Sequence, residues 1–549
     1  MNRDPVWWGG PVRTTLLGGK RIVVRLTVVV ATVLAPLLLL AAPAAALEHG
    51  AGADLERVDS YVAQAMEDRD VPGAALVVVR DGRIVHAKGY GRADGEGRPV
   101  TAQTPFRIGS VTKSFTALAV MQLVEDGTVE LEAPVRRYLP WFTLADEEAA
   151  GRITVSHLLH HTSGIPGTAG GAALFDPART LEDTVRALAE VAPDRPVGES
   201  FEYANANYAV LGLLLEEVSA QSYADYIREH VLDPLQMRHS FATATSEGRG
   251  ELAVGHQWFF GVPVAVPDRY VPGYVSSGFL SASAEDLGHW LITHMEGGRY
   301  DGVSVLSPEG IETLHAPGPG ASVPGIPGVE HTGGGYAMGW FTGEMHGVPA
   351  VWHGGGDLRN SAMLVMAEDG WGMALLVNSG DYLTGSEPTA HIASGVVRLL
   401  DGKEPVPLGR PSIGYTYRVL DLVLAALTLP VLAAAVRLPR WYRGLRRRLL
   451  TGNPGRRTTL TVLRVAVELL LPVAALALGP ELALAPALES ELSASWRNAW
   501  AAVPDLVLWL SAVAGVLLAV GLVRGVLLAR ELARRRRPAP ERPPATDSR

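Results

Sequence analysis

The spacing of apolar positions changes twice along the chain, and the changes divide it. Near the N-terminus Arg13, Lys20, Arg21 and Arg25 precede an apolar run over 26–47, with Ala44 and Ala46 at Ala-x-Ala spacing near its end. That is the pattern of a secretory signal peptide or an uncleaved signal anchor, assigned to residues 1–48. Residues 49–401 mix two periods. Helical spacing recurs over 55–67, 111–125, 155–161, 207–219 and 284–295. Strand-like runs at 74–80 and 83–88 flank Asp81-Gly82, a strong hairpin signal. Further strands are predicted at 336–341, 350–352, 361–366 and 372–377, and Gly- and Pro-rich stretches at 261–273 and 316–335 read as surface loops. Strands at both ends with helices between predict a mixed α/β (α+β) domain, an antiparallel sheet flanked by helices with a helical subdomain.

After residue 401 the pattern changes again. Residues 402–417 hold Pro405, Pro407, Gly409, Pro411 and Gly414 and read as a linker. Apolar segments at 418–436, 459–479 and 503–528 follow, so 418–529 is expected to form three transmembrane helices. About 20 apolar residues suffice to cross the hydrocarbon core. The loop 437–458 carries eight arginines and no acid, whereas 480–502 carries Glu481, Glu489 and Glu491 against Arg497. The positive-inside rule therefore places 437–458 and the basic tail 530–549 in the cytoplasm, and the 49–401 domain outside the cell membrane. The N-terminal segment predicts the same sidedness independently. Arg464 and Glu468, four apart within the second segment, are spaced to pair on one helix face.

Composition narrows the chemistry. The 549 residues include no cysteine, which removes thiolate catalysis and disulfides. The net charge is −9, the middle of the chain is acidic, and no nucleic-acid-binding motif is present. Only Lys20, Lys88, Lys113 and Lys403 are lysines among 48 basic residues. Arginine keeps its proton in a protein, but a desolvated lysine can serve as a base. A lysine retained in the acidic middle is therefore a candidate for chemistry.

Ser110-Val111-Thr112-Lys113 opens a helical pattern. Residues three apart on a helix are neighbours, so Lys113 can reach the Ser110 hydroxyl. Burial disfavours an ammonium, which lets such a lysine take the serine proton. The helix N-terminus adds backbone donors and a positive field. Tyr203-Ala204-Asn205 supplies a phenol fit for proton relay and an amide fit to hold a substrate carbonyl. His353-Gly354-Gly355-Gly356 stands between predicted strands, where glycines let a substrate backbone approach and an N–H can stabilise an oxyanion. His331-Thr332-Gly333-Gly334 is a competing copy, disfavoured because it precedes the strand around Gly339-Trp340. Adjacent His160 and His161 lack an acid at ligand spacing, so no metal is expected. Trp258, Phe259 and Phe260 suit either a substrate rim or simple loop packing.

These three elements, in this order, resemble the class C β-lactamases and penicillin-binding-protein-like serine hydrolases. His160-His161-Thr162-Ser163-Gly164-Ile165-Pro166, Ser277-Gly278-Phe279-Leu280-Ser281, Tyr336-Ala337-Met338-Gly339-Trp340 and Val377-Asn378-Ser379 match as well. The resemblance spans about residues 55–400. It implies Ser110 as acylated nucleophile, Lys113 as its base and Tyr203 as relay. Asn205, His353, Gly354, Gly355 and Gly356 become substrate contacts. It also implies a membrane-anchored, extracytoplasmic hydrolase acting on a small peptide, a β-lactam or an ester. The alternative is an acylatable sensor with little turnover. The expected partners are that substrate and membrane lipid, with no cofactor, metal or nucleic acid. His353 stands where many β-lactamases carry the lysine of a Lys-Thr-Gly triplet. That departure argues against strong β-lactam hydrolysis.

Overall fold

The computed structural model describes residues 51–536 except 171–175, 243–250, 268–269, 324–330, 381–386, 407–408, 410, 451–453 and 481–495. The signal segment 1–48, most of the acidic loop 480–502 and the tail beyond 536 lie outside the described residues. A seven-stranded antiparallel sheet forms the centre. Its strands are β1 (Gly73–Arg80), β2 (Arg83–Gly91), β3 (His331–Thr332), β4 (Phe341–Met345), β5 (Val348–Gly356), β6 (Ser361–Ala367) and β7 (Trp371–Val377). They lie in the order β2-β1-β7-β6-β5-β4-β3.

The central strands are apolar at nearly every position because both faces of the sheet are covered. Successive side chains of a strand point to opposite faces. Leu76, Val78, Val365, Leu375 and Val377 bury one face under α1 (Ala51–Asp68), through Val58 and Val62. Val77, Val79, Leu364, Ala374 and Leu376 bury the other, against α2 (Thr112–Glu125), α3 (Asn205–Ser219) and α4 (Ala284–Met295). Helix α5 (Glu387–Leu400) joins α1 on its side through Ile392 and Val396. Every residue of α2 from Thr112 to Met121 is buried. A helix apolar all round belongs at the centre of a domain, and the stacked rings of Phe115 and Trp290, 3.8 Å apart, lock α2 to α4.

Two local expectations are corrected. Residues 336–340 do not form a strand. They make a buried turn in which the Ala337 N–H bonds to the Trp340 carbonyl and Gly339 has φ +78°, and pairing with β5 starts only at Phe341. The apolar run there reflects burial beneath α2, not extension. The Gly- and Pro-rich stretch at 261–273 is not wholly loop, since Val262–Ala265 pairs with His256–Phe259 as a hairpin.

Beyond the sheet domain lie α6 (Ile413–Val436), α7 (Leu438–Leu450), α8 (Pro454–Ala477) and α9 (Pro504–Arg536). Three segments, Ile413–Val436, Thr458–Ala477 and Pro504–Arg534, are long and apolar enough to cross a membrane. The expected Arg464–Glu468 pair is replaced by another. Glu468 pairs with Arg524 of α9, whose guanidinium also lies 3.4 Å from the Ala434 carbonyl of α6 and over the Trp441 ring. Gly521 and Gly525, on either side of Arg524, face Leu469 and Val465 of α8. Small residues let two helices approach closely, so a charge from α9 reaches Glu468 and the pair ties helices together instead of serving one.

Candidate active site

Ser110 sits in a one-turn 3-10 segment, Gly109–Val111, that leads directly into α2. Thr112 fixes the turn. Its hydroxyl donates to the Gly109 carbonyl at 2.7 Å and accepts the Leu280 N–H at 3.2 Å. The glycines of β5 pass against this turn. A Cβ on Gly355 would overlap the Ile108 carbonyl and come within 3.0 Å of the Ser110 nitrogen. Gly109, at φ +53°, meets the Gly356 nitrogen in the same way. Side chains at either position would push the strand away from the hydroxyl.

Lys113, the second residue of α2 and one turn after Ser110, is fully buried and holds the centre of the site. Its Nζ lies 3.0 Å from Ser110 Oγ, 2.5 Å from Asn205 Oδ1 and 2.8 Å from the Ser277 carbonyl. Tyr203 places its ring 4.7 Å from the same nitrogen. A neutral amine has two N–H groups and one lone pair. The amide oxygen and the carbonyl can only accept, so they hold two N–H groups; the ammonium points its third at Ser110 Oγ, and loss of that proton would leave a lone pair there.

His353 points from β5 into the same region but is only 1% exposed. Its Nδ1 lies 2.6 Å from the Gly354 carbonyl, which can only accept, so Nδ1 carries the proton. Nε2, 3.2 Å from the Tyr336 hydroxyl, is then the acceptor. Burial, with the Lys113 charge second, pushes this imidazole down to about 3. Its one N–H is thus used within its own strand and its charge is suppressed.

Sequence reasoning missed His161, weighing it only as a metal ligand. It lies in a left-handed turn, φ +57°, and is fully buried. Nδ1 accepts the Ala204 N–H at 3.2 Å and the Asn207 side-chain amide at 3.0 Å. Its ring centroid is 4.5 Å from that of Tyr203. Burial, and then the Lys113 charge, keep it well below its ordinary pKa and neutral. His161 thus holds the residue between Tyr203 and Asn205. The signal available was the motif His160–Pro166 itself, but the contact depends on a backbone conformation that spacing does not reveal.

The structure thus brings together Ser110, Lys113, Tyr203, Asn205, His353 and the glycines 354–356. The competing His331 lies on β3, two strands from β5. Trp258, Phe259 and Phe260 do not rim the cleft. Trp258 stacks on Tyr417 of α6 and Phe259 meets Trp500, just ahead of α9. Among the described residues no group of three or more His, Asp or Glu side chains is disposed to hold a metal ion.

Residues 58–394 match the β-lactamase family profile, more than half of the chain. The chain belongs to the β-lactamase family. This is a family of serine hydrolases, and the membrane-type helices lie outside the matched region. Among curated relatives, protein Flp of Staphylococcus aureus is 30% identical over 326 residues, which are 59% of this chain and 63% of Flp. The chain therefore spans somewhat less than two thirds of that relative. Penicillin-binding protein 4 of Amycolatopsis lactamdurans is 31% identical over 57% of this chain and 82% of its own length. Among solved structures, the octameric penicillin-binding protein homologue of Pyrococcus abyssi superposes with a TM-score of 0.56 at 32% identity. It covers 64% of this chain and 78% of its own.

Proposed function

We propose that this β-lactamase-family chain is a membrane-anchored, extracytoplasmic hydrolase that acts through an acyl-enzyme on Ser110. The observation that carries the reading is the Lys113 amine, within 3.0 Å of Ser110 Oγ and bonded to two groups that can only accept. Ser110 Oγ attacks a carbonyl carbon while its proton moves to Nζ. The carbonyl π electrons shift to oxygen, where the Ser110 N–H and an N–H of the Gly354–Gly356 segment stabilise the charge. The carbonyl re-forms, the bond to the leaving nitrogen or oxygen breaks, and Tyr203 relays the proton from Lys113 to the leaving atom. Water repeats the sequence on the ester and frees Ser110.

The substrate class follows from the strand. Strand β4 pairs with β5 only as far as Trp352. Among the described residues, Gly354–Gly356 has no strand on that edge, so an extended peptide can pair there. A neutral, buried His353 in place of a lysine supplies no charge for a substrate carboxylate. Uncharged amides and esters are therefore favoured over β-lactams.

The test is intact-protein mass spectrometry of the full chain after incubation with peptidoglycan stem peptides, β-lactams and short-chain esters. An adduct on Ser110 that forms and decays supports the hydrolase. An adduct that persists as a single stoichiometric burst points to the sensor, and no adduct with any class overturns the proposal. Sidedness is read separately. An impermeant thiol reagent on intact cells is expected to label Thr128→Cys, exposed in the catalytic domain, and not Arg443→Cys in α7.

A further inference from the structure

The hairpin His256–Phe259/Val262–Ala265 of the catalytic domain grips the heads of the membrane-type helices, alongside the Asp70–Arg418 ion pair to α6. Gln257 Nε2 donates to the carbonyls of Trp500 and Ala501 at 2.9 and 3.0 Å, and the Phe260 N–H donates to Asp505 of α9 at 2.9 Å. Trp258 stacks on Tyr417 of α6. The hairpin is equally fixed to the sheet. The His256 N–H donates to the Asn378 carbonyl at 3.0 Å, and Arg359, in the turn after Gly356, donates to Gln257 Oε1 at 3.1 Å.

Its turn is unusual. Phe260 and Gly261 both have positive φ, +51° and +71°. Asn-Gly is the cheap choice for such a turn, and a bulky side chain in this conformation is an outlier. The strain buys no core contact, because Phe260 is 61% exposed. Val262 and Val264, alternate residues of the second strand, are 57% and 41% exposed on the same face. The heads of these helices also carry exposed aromatic residues, Tyr415 in the first turn of α6 and Trp496 and Trp500 in the short helix Trp496–Ala502 that leads to α9. Aromatic side chains collect where a bilayer meets water.

We propose that this hairpin docks into the headgroup region of the bilayer, with Phe260, Val262 and Val264 as its apolar contacts, and holds the catalytic cleft at a fixed height above the membrane. The occupant is a lipid surface because the hairpin that carries the apolar stripe is bonded to the head of α9 and stacked on the head of α6. The inference rests on reading those helices as membrane spans.

The full chain has no cysteine, so one label can be placed at a time. Val262→Cys, Leu427→Cys in α6 and Val303→Cys, an exposed valine in a turn beside α4, carry an environment-sensitive fluorophore. Each is reconstituted in phosphatidylcholine–phosphatidylglycerol nanodiscs containing lipids with a nitroxide at a shallow or a deep position. The label at residue 262 is expected to lose most of its emission to the shallow nitroxide, that at 427 to the deep one, and that at 303 to neither. Adding Phe260→Asp is expected to relieve the quenching at 262. Quenching at 427 but not at 262 overturns the docking and leaves the anchor standing. Quenching at neither overturns the anchor reading itself. Emission at 262 that depends on protein density instead of nitroxide assigns the stripe to a second copy and also overturns the proposal.

Discussion

Ser110, Tyr203 and Asn205 are half open at the rim of the cleft, whereas Lys113, His161 and His353 lie beneath them with almost no exposed surface. The rim carries groups that can touch a substrate. The floor carries nitrogen atoms whose partners are already set: Asn205 and Ser277 for Lys113, Ala204 and Asn207 for His161, Tyr336 and Gly354 for His353. The three nitrogenous side chains of the floor differ in one respect. Both ring nitrogens of His353 have partners and His161 keeps Nε2 buried without one among the described residues, whereas Lys113 lies within hydrogen-bond reach of a rim hydroxyl, Ser110 Oγ. Under the proposed mechanism the floor divides into one group for proton transfer and two for positioning.

The sharpest test removes Ser110, the proposed nucleophile. Ser110→Ala is expected to abolish labelling by a fluorescent fluorophosphonate and to lower turnover of an activated ester by about 10³-fold or more. Unchanged labelling would move the nucleophile elsewhere. Next in size is Lys113→Arg, which keeps the charge and removes the base. General-base loss costs about 10²–10⁴-fold in acylation rate. Wild-type acylation in that variant would put Lys113 with the positioning floor.

His161 sharpens the division. His161→Ala leaves the Ala204 N–H and the Asn207 amide without their acceptor, which costs about 1–3 kcal/mol of stability. It also loosens Tyr203 and Asn205, and a displacement of about 1 Å at such groups costs up to about 10²-fold in rate. The expected signature is a fall in kcat larger than the rise in KM, measured well below the melting temperature. His161→Asn keeps an acceptor and tolerates the left-handed backbone, so it is expected to recover part of the rate. A variant with a lower melting temperature and unchanged kcat would show a purely structural histidine.

The rim was legible in the sequence and the floor only partly so. Ser110 and Lys113 are coupled by helix geometry alone, and the scarcity of lysine drew attention to the pair. The glycines after His353 could be placed because strands on both sides were readable from apolar runs. The role of His161 was hidden, since its contact with the Tyr203–Asn205 segment needs φ +57° and a long-range approach. The same limit explains Glu468. A pair four apart in sequence is visible, but the partner it takes, Arg524, is fixed by helix packing. The run at 336–340 was misread as a strand because burial and extension leave the same apolar trace.

The smallest effect concerns pH and isolates His353. In the unfolded chain a histidine titrates near 6.5, whereas in the folded domain burial pushes His353 down to about 3. Between those values the unfolded state binds the extra proton, so stability is fully present above about 6.5 and is lost as pH falls toward 3. At pH 5 the loss amounts to about 2 kcal/mol for this one group. His315 and His391, each pushed to about 4 by burial, add to the same slope. His353→Asn is therefore expected to narrow the difference in urea midpoint between pH 7.5 and pH 5 without abolishing it. The ester-hydrolysis rate at pH 7.5 is expected to change less than in the His161 variants, because His353 holds Tyr336 and its own strand, not the Tyr203–Asn205 segment. An unaltered pH slope in His353→Asn would mean that the imidazole opens to solvent and belongs with the rim, where a substrate could reach it.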